Sequence, residues 1–352
     1  MTTRSMPVEE SNAWGRGAWD AGPMRFIVYG AGGIGGVVGA RLHQGGHDIA
    51  LIARGEHFEA IEARGLVLET PEGSTRLNIP VVDHPEQAGV AEGDVVLLTM
   101  KSQHTGTAIE TLANHASPET PVVCMQNGVS NERTALRRFP SVYGVAVMAP
   151  VGFLERGVVQ AYSTPVTGIL DIGRYPVGSD DTASRIATAF SQSGFVSETR
   201  TDIMRWKYRK LVTNLSNAVE AICGPEGRRG RIEELATTEG ERVLEAAGVE
   251  VASAEEDRER RGNLLTLGPV AGQPRPGSSV WQSLTRAIGS VETDYLNGEI
   301  VLLGRLHGIP TPVNELLQTL TRQMAAAHTP PGRISEAELL QMLASQQQSD
   351  ST

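Results

Sequence analysis

Apolar residues in the first half of the chain recur as short runs that are separated by segments with helical periodicity. The runs at 94–100 and 121–125 are almost continuously apolar, as in parallel strands that are buried on both faces. Strands that alternate with helices at this spacing predict a doubly wound, mainly parallel α/β sheet. The predicted strands are 26–29, 48–53, 66–69, 77–81, 94–100, 121–125, 142–148 and 166–172, with 66–69 and 77–81 as a hairpin-like excursion, and the predicted helices are 36–44, 105–114, 131–138 and 182–192.

The pattern changes after residue 199, where no further strand is predicted. Four segments have helical periodicity, and Gly308 and Pro310 end the third of them. The chain therefore divides into an α/β domain at 24–199 and an all-helical domain at 200–333. Residues 1–23 are predicted to be a disordered leader, and residues 334–352 a largely disordered tail. The four predicted helices are 204–223, 232–247, 279–307 and 313–327.

A glycine-rich turn with G-x-G-x-x-G spacing joins the first strand to the first helix. In a dinucleotide-binding unit the first glycine permits the turn, the second lets the backbone approach a pyrophosphate, and the third lets the helix pack closely on the strand. The helix then points its partly positive N-terminus at the phosphates. Because the motif lies between a strand and a helix, it favours a Rossmann-type cofactor site over a purely structural turn. The candidate cofactor-binding residues in it are Gly30, Gly32, Gly33, Ile34 and Gly35.

Composition narrows the class of protein. Of the 352 residues, 40% are hydrophobic and 20% are charged, as in an ordinary soluble globular enzyme. The net charge of −10 argues against nucleic acid or an anionic membrane as the main partner, since both bind basic surfaces. The two cysteines, Cys124 and Cys223, suggest neither a disulfide framework nor a metal site. No segment is apolar enough to span a bilayer, and a reducing, cytoplasmic location is expected.

The residue that follows the second strand bears on the choice of cofactor. In NAD-specific folds an acidic residue at this point, about 20 residues after the glycine turn, binds the ribose 2′-hydroxyl. Here the strand ends in Ala53 and Arg54, so that an arginine takes the place of the acid. A guanidinium suits a 2′-phosphate, and the sequence therefore predicts NADP(H). The alternative is a solvated loop arginine.

Two further strand ends carry polar side chains. The strand at 94–100 runs directly into Lys101, and the strand at 121–125 is followed by Gln126, Asn127 and Gly128. Ligands of parallel sheets bind beyond the carboxyl ends of the strands, so that Lys101 and Asn127 are candidates for contact with the cofactor. Each also has a structural interpretation, as a surface lysine that ends a strand and as part of an Asn-Gly turn.

Lys210 and Asn214 stand four residues apart in an otherwise apolar helical segment and so share one helix face. Such a face would project into a cleft. Reduction of a ketone by hydride transfer needs a proton for the developing alkoxide, and a partly desolvated lysine can supply it. A solvated helix lysine beside Lys207 and Arg209 is an equally good interpretation of the spacing alone.

Glu292 and Ser279 are the remaining candidates in the helical domain. Glu292 falls within the predicted helix 279–307, where it either holds the lysine by a charged hydrogen bond or lies at the surface. Ser278 and Ser279 come at the end of a Pro/Gly-rich loop. These serines either cap the helix or present hydroxyl and amide groups to a substrate carboxylate.

In this order and spacing, the motifs resemble the ketopantoate reductase (2-dehydropantoate 2-reductase) family. The resemblance runs from residue 24 to about residue 327, through MRFIVYGAGGIG, LLTMKSQ, MQNG, WKYRKLVTN and the stretch from SSVWQSL to ETDYLNGEIVLLGRLHGIPTP. It implies NADPH-dependent reduction of a 2-keto acid to an (R)-2-hydroxy acid, with ketopantoate and (R)-pantoate of pantothenate biosynthesis as the expected pair. The implied roles are catalytic general acid for Lys210, positioning of that lysine and help in binding substrate for Glu292, substrate binding for Asn214 and Ser279, and cofactor contact for Lys101 and Asn127.

The resemblance is incomplete on the substrate side. Family members carry asparagines where this chain has Ala218, the segment 225–227 and a position near Pro276, and the spacing from Ser279 to Glu292 is one residue longer than usual. The cofactor side and the lysine match the family. The sequence therefore predicts reductase chemistry and leaves open whether the substrate is ketopantoate or another branched or larger 2-keto acid.

Two other functions remain compatible with the sequence. One is a related 3-hydroxyacid or opine-type dehydrogenase with the same two-domain plan, and the other is a catalytically silent NADP-binding sensor. The presence of Lys210 and Glu292 argues against a sensor, which needs neither. The expected partner is a small-molecule 2-keto acid. The sequence does not determine the oligomeric state, for which a homodimer is one candidate.

Overall fold

The computed structural model describes residues 24–349, so the predicted leader at 1–23 lies outside the described residues. The strands are, in chain order, β1 (Arg25–Tyr29), β2 (Asp48–Ile52), β3 (Leu66–Thr70), β4 (Gly73–Leu77), β5 (Val81–Val82), β6 (Val95–Leu98), β7 (Val122–Cys124), β8 (Val142–Met148), β9 (Val151–Gly152), β10 (Val158–Ala161), β11 (Ser163–Pro165), β12 (Ile169–Arg174) and β13 (Leu265–Leu267). The helices are α1 (Gly33–Gln44), α2 (Gly55–Arg64), α3 (Pro85–Ala88), α4 (Thr105–Ala113), α5 (Asn131–Leu136), α6 (Asp181–Gln192), α7 (Ile203–Asn214), α8 (Ser216–Cys223), α9 (Arg231–Ala246), α10 (Ala254–Arg261), α11 (Ser279–Thr285), α12 (Asn297–His307), α13 (Pro312–Ala326) and α14 (Glu336–Ser349). Short 3₁₀ turns occupy Ser102–His104, Pro225–Gly227 and Glu292–Tyr295.

Seven strands form the main sheet, in the order β12-β8-β7-β6-β1-β2-β5. Neighbouring strands are parallel except for β12, which runs antiparallel to β8. Every residue of β6 and β8 is buried, because apolar clusters cover both faces of the sheet. The predicted architecture, an N-terminal doubly wound sheet followed by a helical region, is confirmed.

The excursion after β2 differs from the prediction. A hairpin is present, but it pairs β3 with β4, from Leu66 opposite Leu77 to Thr70 opposite Gly73. The predicted strand at 77–81 is largely the connection to β5. Because the residues of β4 are polar and mostly exposed, this strand lacks the apolar alternation by which a strand is recognised. β3 also pairs with β10 in a separate four-stranded sheet, β4-β3-β10-β9.

The region after residue 199 is mainly helical, with two local departures from the prediction. The predicted helix 204–223 divides into α7 and α8 at Leu215, whose amide bonds to the Val212 carbonyl three residues back at 3.2 Å and so tightens the turn. The expectation of no strand after 199 is wrong, because β13 pairs antiparallel with β11. A three-residue strand in a loop is too short to produce a pattern in the sequence.

The sequence analysis did not predict α2 and α10, because both are rich in charged residues, nor the four-residue α3. The sequence of α10 is AEEDRERR, which has no apolar stripe. Its first turn is held by a capping box between Ser253 and Glu256. Glu256 also forms an ion pair with Arg205 on α7 at 3.0 Å. Local polar contacts therefore form this helix, and they fix its last residue, Arg261, beside the cavity described below.

The single long helix predicted for 279–307 is wrong. The chain forms α11, leaves the helical conformation, and resumes as α12 only at Asn297. Ala287 and Gly289 have φ angles of 50° and 80°, which a right-handed helix does not allow. Glu292 consequently begins a 3₁₀ turn instead of lying on a helix.

Residues 336–349, which were assigned to a disordered tail, form α14. Leu339 and Leu343, one helical turn apart, are buried in the helical region. The Glu336 carboxylate accepts a hydrogen bond from the Ile232 amide at 2.9 Å. The prediction missed this helix because a Gln/Ser-rich segment with few anchoring leucines carries only a weak apolar stripe.

Buried apolar side chains form clusters on either side of residue 200. One cluster extends from Phe26 to Phe195 around the main sheet, and another extends from Leu211 to Leu343 among the helices and also includes Val129 of the sheet region. The predicted domain boundary at 199 and 200 falls between these clusters and stays a prediction. Within residues 24–349, the helices lack the length and apolar character that crossing a membrane requires.

Candidate active site

A cavity of about 1070 Å³ lies between the carboxyl ends of the main strands and the helical region. All of the sequence-predicted site residues except Gly35 line it. Seven of its lining residues are lysine or arginine and two are aspartate or glutamate, although the whole chain has a net charge of −10. The cavity therefore attracts anionic ligands in a chain that is otherwise acidic.

Two glycines of the G-x-G-x-x-G turn are required by close backbone packing. Gly30 has a φ of +108°, and a Cβ atom there would lie 2.7 Å from the Met100 amide nitrogen. A Cβ atom on Gly35 would lie 2.2 Å from the Gly30 carbonyl oxygen and 2.4 Å from Thr99 Oγ1. Only glycine allows α1 to approach the sheet this closely. Gly35 thus acts by packing, which explains why it does not line the cavity.

The remaining residues of the turn face the cavity. Gly32 is the N-cap of α1, and the nearest atom to a Cβ placed on it would be a ring carbon of Phe153 at 3.7 Å. Gly33 and Ile34 are the first residues of α1 and line the cavity. The first amides of a twelve-residue helix are therefore directed at a space that an anion can occupy.

His57, which the sequence analysis missed, holds this turn in place. Its Nδ1 accepts a hydrogen bond from the Gly157 amide at 3.0 Å, which assigns the ring proton to Nε2. Nε2 then donates to the Ala31 carbonyl oxygen at 2.7 Å. Burial lowers the pKa of His57, the hydrogen bond to Ala31 opposes this, and Arg286 adds to the lowering, so the net shift favours the neutral ring. The sequence carries no signal for this residue, because its partners belong to distant segments.

Arg54 lies beyond the end of β2 and is exposed at the rim of the cavity. Its backbone caps α2. Within residues 24–349, its guanidinium takes part in no ion pair or side-chain hydrogen bond. An exposed, unpaired guanidinium beside a cofactor-sized cavity can bind a ligand phosphate.

Lys101 and Glu292 link the edge of the sheet to the helical region. Lys101 Nζ donates a hydrogen bond to Ser283 Oγ on α11. Glu292 Oε1 accepts from the Ser102 amide and from Ser102 Oγ, each at 2.8 Å. Burial lowers the pKa of Lys101 to about 8, an effect that Glu292 opposes and Arg286 increases. Glu292 is therefore an electrostatic neighbour of Lys101.

These contacts correct the expectation that Glu292 holds Lys210. Among the described residues, no hydrogen bond or ion pair joins the two side chains, and the Glu292 carboxylate is bound to Ser102 instead. The cause is the break in the helix at 287–289, which places Glu292 against the 3₁₀ turn after β6. Sequence spacing on an assumed continuous helix could not show this.

Asn127 and Asn214 join the two regions directly. Asn214 is buried and its Nδ2 donates to Asn127 Oδ1 at 3.0 Å. The Asn127 carbonyl oxygen accepts from Ser102 Oγ at 3.2 Å and from Asn131 Nδ2 at 3.0 Å. Ser102 and Asn131 were not predicted as site residues. The sequence did contain one indication of them, because both residues follow a buried parallel strand by a few positions, where ligand-binding residues commonly lie.

Lys210 is half-buried in the wall that the helical region contributes. Burial, together with the neighbouring positive charges of Arg261, Arg275 and Arg228, lowers its pKa to about 7, and Asp257 opposes this shift. Its protonated and neutral forms are therefore both accessible near neutral pH. A lysine with such a pKa is suited to proton transfer at neutral pH.

The two serines at the start of α11 have separate positions. Ser278 is the N-cap, with its Oγ accepting from the Trp281 amide at 3.4 Å and its own amide donating to Glu220 Oε2 at 2.8 Å. Ser279 lines the cavity, and its buried Oγ has no hydrogen-bond partner among the described residues. A buried hydroxyl without a partner is unfavourable, so a ligand that bonds to Ser279 would stabilise it.

Lys207, which the sequence analysis named only as a neighbour of Lys210, is buried. Its Nζ lies 2.5 Å from Glu132 Oε1, and the two side chains are 2% and 0% exposed. Nζ also donates to the Gln126 carbonyl oxygen at 3.1 Å. The pair ties α7 to the strand end that carries Asn127, and so fixes one wall of the cavity to the other.

Two models of one known protein family match this chain, one in the sheet region and one in the helical region. The family model described as ketopantoate reductase PanE/ApbA matches residues 26–176, and the corresponding C-terminal model matches residues 202–325. The 2-dehydropantoate 2-reductase of Pyrococcus horikoshii is 34% identical over 200 residues, which are 56% of this chain. The match spans 64% of that relative's own length.

Solved structures share the same fold. A PanE/ApbA family ketopantoate reductase from Ralstonia eutropha JMP134 has a TM-score of 0.72 and 28% identity, with 87% of this chain and 99% of that chain covered. A D-mandelate dehydrogenase in complex with NADH and anilino(oxo)acetate has a TM-score of 0.73 over the same shares of the two chains, and at 22% identity it shows the fold alone. Since the two family models together cover most of the sheet region and most of the helical region, the chain belongs to the ketopantoate reductase family of oxidoreductases.

Proposed function

We propose that this protein reduces a 2-keto acid to a 2-hydroxy acid with NADPH. The observation that supports it best is the position of Lys210, a half-buried lysine with a pKa of about 7 in the same positively charged cavity as Asn214 and Ser279. The name of the Pyrococcus horikoshii relative makes ketopantoate the first substrate to test. Its reduction would yield (R)-pantoate for pantothenate biosynthesis.

The residues of the sheet region fit a nicotinamide dinucleotide phosphate. The amides at the start of α1 face the cavity, where they suit a pyrophosphate. Ala53 and Arg54 stand where an NAD-specific protein carries an acid. The preference for NADP(H) over NAD(H) therefore depends on Arg54. The proposed cofactor contacts are Gly30, Gly32, Gly33 and Ile34 for the pyrophosphate, Arg54 for the 2′-phosphate, and Lys101 and Asn127 for the nicotinamide end.

In the proposed reaction, the protein's own residues donate one proton to the substrate and hold the substrate in place. When bound, the cofactor supplies a hydride to the keto carbon. Lys210 donates a proton to the carbonyl oxygen as negative charge develops there, so that C=O becomes CH–OH. Ser279 Oγ and the Asn214 amide bind polar groups of the substrate and hold the carbonyl oxygen toward the lysine. The helical region in this way supplies the proton donor and the substrate ligands.

Purified protein with NADPH and a panel of 2-keto acids, ketopantoate among them, tests the proposal through the loss of NADPH absorbance. Oxidation of NADPH that depends on a 2-keto acid is the expected result. Tight binding of NADPH without oxidation by any member of the panel would contradict it and indicate a silent sensor. Oxidation of 3-hydroxy acids or opines, without 2-keto acid reduction, would indicate a related dehydrogenase.

We expect Arg54→Gln to raise the KM for NADPH by about 10- to 100-fold, because a charged hydrogen bond is worth roughly 1.5–3 kcal/mol. The KM for NADH should change little, since NADH has no 2′-phosphate. Steady-state kinetics with both cofactors measure this difference. Arg64→Gln is the matched control, because Arg64 is exposed on α2 and lies outside the cavity. Equal losses with NADPH and NADH would contradict a 2′-phosphate contact.

The rate of reduction should depend on pH through Lys210. Its pKa is lowered to about 7, and the reduction needs the protonated amine. We therefore expect kcat/KM for the keto acid to be level below pH 7 and to fall about tenfold per pH unit above it. Oxidation of the hydroxy acid needs the neutral amine and should show the opposite trend. A level profile for reduction across this range would show that Lys210 is not the acid.

A further inference from the structure

Three arginines that the sequence analysis did not single out surround the end of the cavity where Lys210 lies. Arg228, Arg261 and Arg275 line the same cavity as the lysine and are its cationic neighbours. They come from three separate segments, which are the end of a 3₁₀ turn, the end of α10 and the loop before α11. Folding therefore gathers four cationic side chains from distant parts of the chain, which is unfavourable unless anions balance them.

The protein itself balances this cluster only in part. Arg228 lies 3.6 Å from Glu220 Oε1, and Arg261 lies 2.8 Å from Asp257 Oδ2. Arg275 forms no ion pair or side-chain hydrogen bond with any residue of 24–349, and its Nε is buried. One terminal nitrogen of Arg261 is likewise buried without a hydrogen-bond partner in this part of the chain. With the lysine protonated, four cations face two carboxylates, and two positive charges remain.

A ligand with two negative charges matches this excess. The carboxylate of a simple 2-keto acid supplies one charge and would leave the other unbalanced. Arginine guanidiniums are suited to carboxylates because they donate two parallel hydrogen bonds. If the second anionic group is also a carboxylate, the ligand carries two negative charges in total. A phosphate as the second group would give about three negative charges at neutral pH.

The positions of the arginines agree with the departures from the family pattern. Arg228 directly follows 225–227, and Arg275 directly precedes Pro276. By the resemblance described in the sequence analysis, these are two of the places where family members carry substrate-side asparagines. Neutral amides suit a hydroxyl group, whereas guanidiniums suit an anion. Leu265 also lines the cavity and offers an apolar surface for the carbon chain between two carboxylates.

We infer that Arg228, Arg261 and Arg275 form a second anion-binding subsite, and that the preferred substrate is a 2-keto dicarboxylate. This inference rests on the proposed reductase function and names the substrate class of the same cavity. The reaction remains balanced: a hydride adds to the keto carbon, the carbonyl electron pair moves to oxygen and takes the proton of Lys210, and NADPH leaves as NADP⁺. The product is a 2-hydroxy dicarboxylate.

The test compares two acids of equal carbon number, 2-ketoglutarate and 2-ketopentanoate, which differ in whether the chain ends in a carboxylate or a methyl group. We expect kcat/KM with NADPH to be about 10- to 100-fold higher for 2-ketoglutarate, the range of one charged hydrogen bond. Ketopantoate, measured alongside, should behave like the monocarboxylate. Equal or better reduction of either monocarboxylate would overturn the inference and leave the reductase function standing. Reduction of none of the three acids would overturn the reductase function itself.

The variant Arg275→Gln tests the subsite directly. Arg275 forms no ion pair or side-chain hydrogen bond within residues 24–349, and its acidic neighbour Glu220 keeps its ion pair with Arg228 when Arg275 is replaced. We expect the ratio of kcat/KM for 2-ketoglutarate to that for 2-ketopentanoate to fall about 10- to 100-fold. Arg258→Gln is the matched control, since Arg258 is exposed on α10 and lies outside the cavity. An unchanged ratio in Arg275→Gln, with NADPH binding intact, would overturn the proposal.

Discussion

Lys210→Met should lower kcat for 2-keto acid reduction by about 10²- to 10⁴-fold, the usual contribution of a general acid. Methionine is comparable in length and fits an apolar environment, but it carries no proton to donate. Lys210 has no hydrogen-bond or ion-pair partner among residues 24–349, so its loss breaks no structural contact. Steady-state oxidation of NADPH at saturating keto acid measures the effect, with thermal unfolding as the check that the fold is retained.

The variant Lys210→Arg distinguishes between two roles of this residue, which are proton donation and the supply of a positive charge. A guanidinium keeps the positive charge that attracts the substrate, but its pKa is too high for it to release a proton at neutral pH. We therefore expect a loss of kcat similar to that of Lys210→Met, with a smaller rise in KM for the keto acid. Near wild-type kcat in Lys210→Arg would show that positive charge, and not proton donation, is what this position supplies.

Lys207→Met should lower the free energy of unfolding by about 3–5 kcal/mol, the usual result of removing one partner from a buried ion pair. Glu132 is fully buried, and its partner Nζ lies 2.5 Å away. Without the lysine, the carboxylate must remain charged in an apolar environment or take up a proton. The Gln126 carbonyl oxygen also loses the hydrogen bond that it receives from Nζ at 3.1 Å. Urea-induced unfolding, followed by a spectroscopic signal of tertiary structure, measures the loss.

The double variant Lys207→Met with Glu132→Leu is the informative control. It removes both charges and fills the space with apolar side chains, and replacements of this kind are often neutral or stabilising. We expect it to recover most of the stability that Lys207→Met alone loses. Because Gln126 adjoins Asn127, the single variant should also bind NADPH more weakly. A loss of less than about 1 kcal/mol in the single variant would show that the pair is not held in the buried state seen here.

Much of the sheet region could be predicted from the sequence because its signals are local. A glycine turn between an apolar strand and a helix has its conformation set by neighbouring residues, and Gly30 and Gly35 occupy the positions where backbone packing excludes a side chain. Continuous apolar runs such as 94–100 identify strands that are buried on both faces. The polar residues that follow those strands, Lys101 and Asn127, meet at one edge because parallel strands all point the same way.

The helical region was harder to predict because its breaks and its polar contacts are not local. One apolar pattern continued from 279 to 307, and only the positive φ angles at Ala287 and Gly289 show where the helix stops. The contact of Glu292 with Ser102 joins residues that are remote in the sequence. Spacing along an assumed continuous helix led to the prediction that Glu292 contacts Lys210. Because the helix breaks before Glu292, this carboxylate contacts Ser102 at the edge of the sheet instead.

Local sequence patterns were therefore enough to predict the α/β class, the glycine turn, the arginine in place of an acid after β2, and candidate residues for a keto acid reductase. Which charges stand next to one another follows from the folding of distant segments together, and these neighbours are seen in the structure. Folding buried Lys207 against Glu132, left Lys210 among three arginines, and placed Glu292 beside Lys101. The reason is physical: backbone conformation and apolar burial follow from short stretches of chain, whereas the energy of a charge depends on every group and every water molecule around it once the chain has folded.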